Sequence, residues 1–236
     1  RLPDGTVTTD PAFYQSGQGA CFLLQGLAEL DSSAASQYFW SLVDAAPATG
    51  GWWEYIDNAD TTQSGDRMDG SEPLPSALEA ILHYLFGHKP VAGGLEVAPH
   101  LPQGLDWARM EGFTAHGQRY DLRTERGAML LRREGQDVLS VDQLVRARIV
   151  GEGLELWPMI PTPPYPDLEP AHLRWCDGWE VQLCPALGDV TLTFSLPGRR
   201  LRYAQRCGGI GGTLTLTNLG EEPCRCHALG QTRRLA

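Results

Sequence analysis

Six carboxylates fall between Trp52 and Glu72 in this 236-residue chain: Glu54, Asp57, Asp60, Asp66, Asp69 and Glu72, against one cation, Arg67. Most of them read as a solvated acidic loop. A calcium site is conceivable, yet the spacing misses the D-x-[DN]-x-[DN]-G pattern. Glu54 stands apart, with Trp53 and Tyr55 on either side and Trp52 before them. Rings beside a carboxylate offer an apolar face to a sugar and desolvate the acid. A carboxylate that takes a proton from water needs a fixed position within hydrogen-bond reach, and often a raised pKa. Glu54 is therefore the candidate for a functional role.

Other motifs carry less chemistry. CGGIGGTL (207–214) lacks the lysine of a phosphate-binding loop and the GxGxxG spacing, so it reads as a turn between strands. Cys224-x-Cys226-His227 has no second pair at zinc-site spacing, and no metal is assigned to it. No HExxH, GxSxG or Cys/His nucleophile pattern occurs, and His83, His88, His100 and His172 read as ordinary surface or core residues.

The elements that must position Glu54 are helical. GACFLLQGLAEL (19–30) is apolar on nearly every side, as in a helix buried on most of its surface. Asp31, Ser32 and Ser33 are N-cap candidates for a second helix, in which Phe39, Leu42, Val43 and Ala46 form one stripe; Pro47 and Gly50-Gly51 end it. Ser76 and Glu79 form a capping box for a third helix carrying Leu78, Ile81, Leu82 and Leu85, with Gly87 at its stop. The segment between the second and third helices exceeds the ~12–15 residues of an ordinary loop, so it reads as functional.

After Pro90 the period changes to two. Val190–Leu196 and Thr213–Thr217 alternate cleanly, and Leu95–Ala98, Trp107–Ala115, Gln118–Glu125, Ala128–Arg133 and Trp179–Cys184 are shorter strand candidates. His116-Gly117, Glu134-Gly135, Asp177-Gly178 and Pro197-Gly198 mark turns, and the proline-rich 158–170 reads as an extended connection. Two domains follow, residues 1–88 helical and 94–236 an antiparallel β-sandwich.

Charge supports that division. Residues 1–100 hold 3 basic and 13 acidic side chains, and residues 101–236 hold 16 of each, giving the net −10. An acidic first unit argues against nucleic acid, which requires clustered Lys/Arg. No run approaches the ~18 apolar residues of a membrane span. Six unevenly spaced cysteines make no disulfide framework. The stretch from Arg1 carries no apolar signal segment, and the compartment is left open.

Five runs in order resemble the C-terminal part of a six-hairpin glycosidase: YQSGQGACFLLQGLAEL, the helix after it, GGWWEYIDN, SALEAILHYLFG and GGLEVAPHLPQGLDWARMEGFTAHGQRYDL. The look is nearest to α-L-rhamnosidases, over about residues 11–135. In those enzymes a T-T-x-W-E loop carries the general base; GGWWE (50–54) matches its Trp-Glu, with Gly50-Gly51 in place of the threonines. The resemblance implies partial (α/α)6-barrel helices followed by an antiparallel β-sandwich, an α+β multidomain chain. It implies an inverting glycoside hydrolase with Glu54 as base. Trp52, Trp53, Tyr55 and Asp57 would bind substrate, together with Tyr14 and Gln15 of the first run. No cofactor or metal is implied.

A twelve-helix barrel needs on the order of 200 residues. The expectation is therefore that this chain is a C-terminal portion, inactive alone, whose partner is an upstream barrel segment bearing the acid. Two other readings compete. One is a non-catalytic carbohydrate-binding or scaffold sandwich. The other is a glycoside phosphorylase, which would want basic donors near the cleft where the first unit offers Arg67 and Arg1.

Overall fold

Alternating apolar and polar side chains turn most of the chain into strands. The computed structural model describes residues 14–16, 23–24, 26–28, 32–49, 55–57, 73–157, 171–174, 180–183, 189–207, 212–221, 223–228 and 231–235. The chain divides into two units, Arg1–Leu85 with His100–Leu105, and Phe86–Pro99 with Asp106–Ala236.

In the first unit Leu23, Leu24 and 26–28 are helical, followed by α1 (Ser32–Thr49) and α2 (Pro73–Phe86). Two short strands, β1 (Tyr14–Ser16) and β2 (Tyr55–Asp57), pair antiparallel. Leu24 and Ala28, Tyr38, Phe39 and Leu42 of α1, and Ala80 and Tyr84 of α2 share one buried cluster. Burial pushes the Tyr84 phenol up to about 12, so this ring packs as a neutral group at any working pH. Phe39 lies 5.3 Å from it, centroid to centroid.

His100–Leu105 is tied to these helices by named bonds. The His100 backbone N–H donates to the Tyr84 carbonyl (3.1 Å), and the two rings stack at 5.2 Å. The Gln103 N–H donates to Ser36 Oγ (2.7 Å), and Trp40 Nε1 donates to the Gln103 carbonyl (2.8 Å).

Helix boundaries differ from the sequence reading. α2 begins at Pro73, so Ser76 lies inside the helix and is not its cap. Proline is tolerated in a first turn because those N–H groups have no intrahelical partner. α1 runs two residues beyond Pro47, to Thr49. On α2, Ile81 and Leu85 pack against the cluster, whereas Leu78 and Leu82 are exposed.

The second unit contains two sheets. Edge to edge, the eight-stranded one runs β17 (Gln231–Leu235), β16 (Cys224–Ala228), β11 (Ala171–Arg174), β12 (Glu180–Leu183), β10 (Gly153–Trp157), β9 (Arg146–Val150), β4 (Gly94–Val97) and β3 (Lys89–Val91). The seven-stranded one runs β15 (Gly212–Asn218), β14 (Arg199–Cys207), β13 (Val190–Leu196), β8 (Gln136–Val141), β7 (Ala128–Arg133), β6 (Gln118–Glu125) and β5 (Trp107–Ala115). Pairing is antiparallel except β10 with β12, which is parallel. Hairpin turns use the left-handed pairs His116-Gly117, Arg126-Gly127 and Glu134-Gly135, whose twist matches the flanking strands. Leu95, Ile149, Leu154 and Val181 in one sheet, and Leu122, Leu131, Leu192 and Phe194 in the other, are at most 1 % exposed. Asp177-Gly178 and the proline-rich 158–170 lie outside the described residues.

The expected α+β chain with partial (α/α)6-barrel helices is therefore corrected. Among the described residues the fold is mainly β, with two large sheets and three short helices. The physical reason is that helical periodicity reveals a buried face without revealing what covers it. Here Leu24, Phe39 and Tyr84 meet in a single small core, so the helices bury one another.

Candidate functional site

The segment that follows Glu54 is placed by strand pairing. In the β1–β2 ladder Tyr14 faces Asp57, Gln15 faces Ile56, and Ser16 faces Tyr55. Directly opposed residues share a face of a sheet, and alternate residues along a strand do too. The register therefore makes Tyr14 and Asp57 one pair and Ser16 and Tyr55 another, with Gln15 and Ile56 between them. Glu54, Trp52 and Trp53 lie outside the described residues, as do Asp60, Asp66, Asp69 and Glu72. Sequence reading named Tyr14, Gln15, Tyr55 and Asp57 but not the two strands, because three residues show no period.

A second polar constellation went unnoticed in the sequence. On one face of the eight-stranded sheet, Glu96 (β4) lies opposite Arg148 (β9), which lies opposite Glu155 (β10); Trp157 lies opposite Arg146. The other face of the same strands is core. Arg146 donates from Nε and Nη2 to Glu96 Oε1 (3.0 and 2.6 Å), and Arg148 from Nε and Nη2 to Oε2 (3.0 and 2.8 Å). Arg148 Nη1 reaches Glu155 Oε2 at 3.1 Å. Both guanidiniums lie over the Trp157 ring, 5.2 and 5.5 Å from its centroid, within cation–π range. The readable trace was the alternation in RARIV and GLELW, where each charged or aromatic residue sits between apolar ones.

Burial alone would raise the Glu96 carboxyl, but the hydrogen bonds from Arg148 and Arg146 outweigh it and hold it below the ordinary carboxylate range. A folded value below the unfolded one gives stability that is complete above the ordinary range, about pH 4.3, and lost as pH falls through the folded value. Glu96→Gln is expected to cost about 1–3 kcal/mol. The arginines are 32 % and 36 % exposed, so water screens part of the loss. Urea midpoints measured between pH 3 and 7 check this: the wild-type midpoint should fall on acidification more than the variant's. Parallel pH curves would remove Glu96 from the acid response.

Beside this network a groove of about 150 Å³ is lined by Arg148, Val150, Gly153, Glu155, Glu180 and Gln182. It is smaller than the ~300 Å³ of an enclosed ligand cleft, so it acts as an open contact surface. Among the described residues no three His, Cys, Asp or Glu side chains group to hold a metal. Cys224, Cys226 and His227 all fall within β16. No described helix is long and apolar enough to cross a membrane.

No family model, curated protein or solved structure matches this chain. The resemblance to six-hairpin glycosidases and to α-L-rhamnosidase-like enzymes is corrected accordingly: the described residues are mostly β-sheet with three short helices, and no comparison supports that family. GGWWE, which matched the Trp-Glu of that family's base loop, is five residues long.

Proposed function

We propose that this protein acts on carbohydrate by hydrolysing a glycosidic bond, with Glu54 as the general base and Tyr14, Tyr55 and Asp57 beside it as sugar contacts. The β1–β2 register carries the reading, since it brings Tyr14 opposite Asp57, three residues after Glu54. Tyrosine and aspartate are residue types that can stack on a sugar ring and accept hydrogen bonds from its hydroxyls. Glu54 removes a proton from water as the oxygen attacks the anomeric carbon. A second carboxyl protonates the departing oxygen from the other side, which gives inversion. The test is hydrolysis of oligosaccharides by the wild type and by Glu54→Gln.

The groove at Gly153 favours a second reading, a non-catalytic carbohydrate-binding face. Arg148, Glu155, Glu180 and Gln182 bring charged and amide groups to one open surface. Under it, Gln182→Ala should weaken oligosaccharide binding about tenfold in calorimetry, roughly the loss of one good hydrogen bond. Unchanged affinity would exclude the groove. Saccharide binding without any hydrolysis, lost in Gln182→Ala, would move the function from the first reading to this one.

A further inference from the structure

β5 is the outermost strand of the seven-stranded sheet, and among the described residues no strand pairs with its outer side. Trp107, Arg109 and Glu111 are exposed. At 58 %, Trp107 is the most exposed large apolar side chain among the described residues. The direction of the backbone groups follows from the end of the β5–β6 pair. The Arg126 N–H donates to the Asp106 carbonyl at 2.9 Å, and these two residues continue the register in which Trp107 faces Glu125. Bonded and non-bonded pairs alternate in an antiparallel ladder. Ala108 and Met110 therefore bond to β6, whereas Trp107, Arg109 and Glu111 direct their N–H and C=O groups outward.

A free edge is a template for another extended chain, and charged side chains along it decide which chain fits. When two copies of β5 meet antiparallel about a two-fold axis at Met110, Arg109 of each lies opposite the partner's Glu111. Both residues present outward backbone groups, so each such pair can exchange both main-chain hydrogen bonds. Arg109 Nε already lies 3.4 Å from Glu111 Oε1 along the strand. Pairing makes a square of alternating charges, each beside two of opposite sign, which favours the ladder. Axes at Arg109 or at Glu111 set like charges face to face and are disfavoured. The bulge at Gly112 ends the matched stretch. So short a ladder buries less than the ~1,200 Å² of a stable interface, and the association is weak and concentration-dependent.

We infer that the β5 edge is a self-association surface whose occupant is a second copy of this chain, paired antiparallel about Met110. The inference uses β5 alone and is independent of Glu54 and of the groove at Gly153, which lies on the other sheet.

The test is sedimentation equilibrium of the full chain at low ionic strength, from about 10 μM to about 1 mM, the range in which a weak interface shows. A reversible monomer–dimer equilibrium is expected. Arg109→Glu and Glu111→Arg each set like charges opposite one another and should weaken it at least about tenfold. Both side chains are 54 % exposed, so either variant should keep the wild-type circular dichroism spectrum. Mixing the two variants in equal amounts puts opposite charges across the axis again and should restore the dimer, which a loss of folding could not do. Arg202→Glu, at an exposed position on β14 at the far side of the same sheet, should dimerise as wild type does. A wild-type chain that stays monomeric over the whole range overturns the inference. So does a dimer that survives either single substitution at full strength, or a mixture of the two variants that stays monomeric.

Discussion

Replacing Glu54 by glutamine in the full-length protein is expected to slow glycoside hydrolysis about 10²–10⁴-fold, the usual cost of losing a general base. Glutamine keeps the length and shape of the side chain and can still hydrogen-bond a hydroxyl. It cannot accept the proton that water must lose. The loss should therefore appear in kcat, with saccharide affinity preserved, because the interaction removed is one that strengthens only in the transition state. Asp60→Asn, from the same acidic segment, should change the rate little. Steady-state rates of reducing-end release, with affinities from calorimetry, separate the outcomes. Equal rates for wild type and Glu54→Gln would remove Glu54 from the mechanism and make Asp57, Asp66 or Asp69 the candidates.

Gly94→Ala is expected to unfold the second unit or destabilise it by about 4 kcal/mol or more, at the severe end for one methyl group. Gly94 is opposite Val150 in the β4–β9 ladder, and a Cβ there would sit 1.8 Å from the Ile149 carbonyl oxygen and 2.9 Å from its carbon. These are backbone atoms, so no side-chain rotation relieves the overlap, and β9 must move. Moving β9 disturbs Arg146 and Arg148, which hold Glu96, and Ile149, which is fully buried. Gly87 is the comparable position at the end of α2: its φ of 54° is the left-handed cap conformation, and a Cβ would meet the Ala98 carbonyl oxygen at 2.3 Å. Thermal unfolding of Gly94→Ala followed by circular dichroism checks the expectation. A Tm within a few degrees of wild type would show that β4 can shift at small cost.

Several strands were legible residue for residue. Trp107–Ala115, Gln118–Glu125, Ala128–Arg133 and Val190–Leu196 begin and end where alternation and the His-Gly, Glu-Gly and Pro-Gly turns place them. Arg146–Val150 and Gly153–Trp157 were not recognised, although they alternate as well. Their outward residues are arginine, glutamate and tryptophan, and such a mixture reads as polar surface until the pairing partners are known. The helices were legible as helices, but what they pack against was misread, because Leu24, Phe39 and Tyr84 look alike whether they meet one another or a larger barrel.

By itself, then, the sequence determined local things about this protein: which segments alternate, which turn, where an aromatic-flanked carboxylate lies at Glu54, and that the first hundred residues are acidic. Tertiary structure alone decided the pairings. Tyr14 is set opposite Asp57, and Glu96 is held by Arg146 and Arg148. The reason is register. Each strand states only which of its residues share a face, and a shift of one residue would reverse every face. Which distant residues meet is settled by the packing of whole sheets, through contacts that no short window of sequence contains.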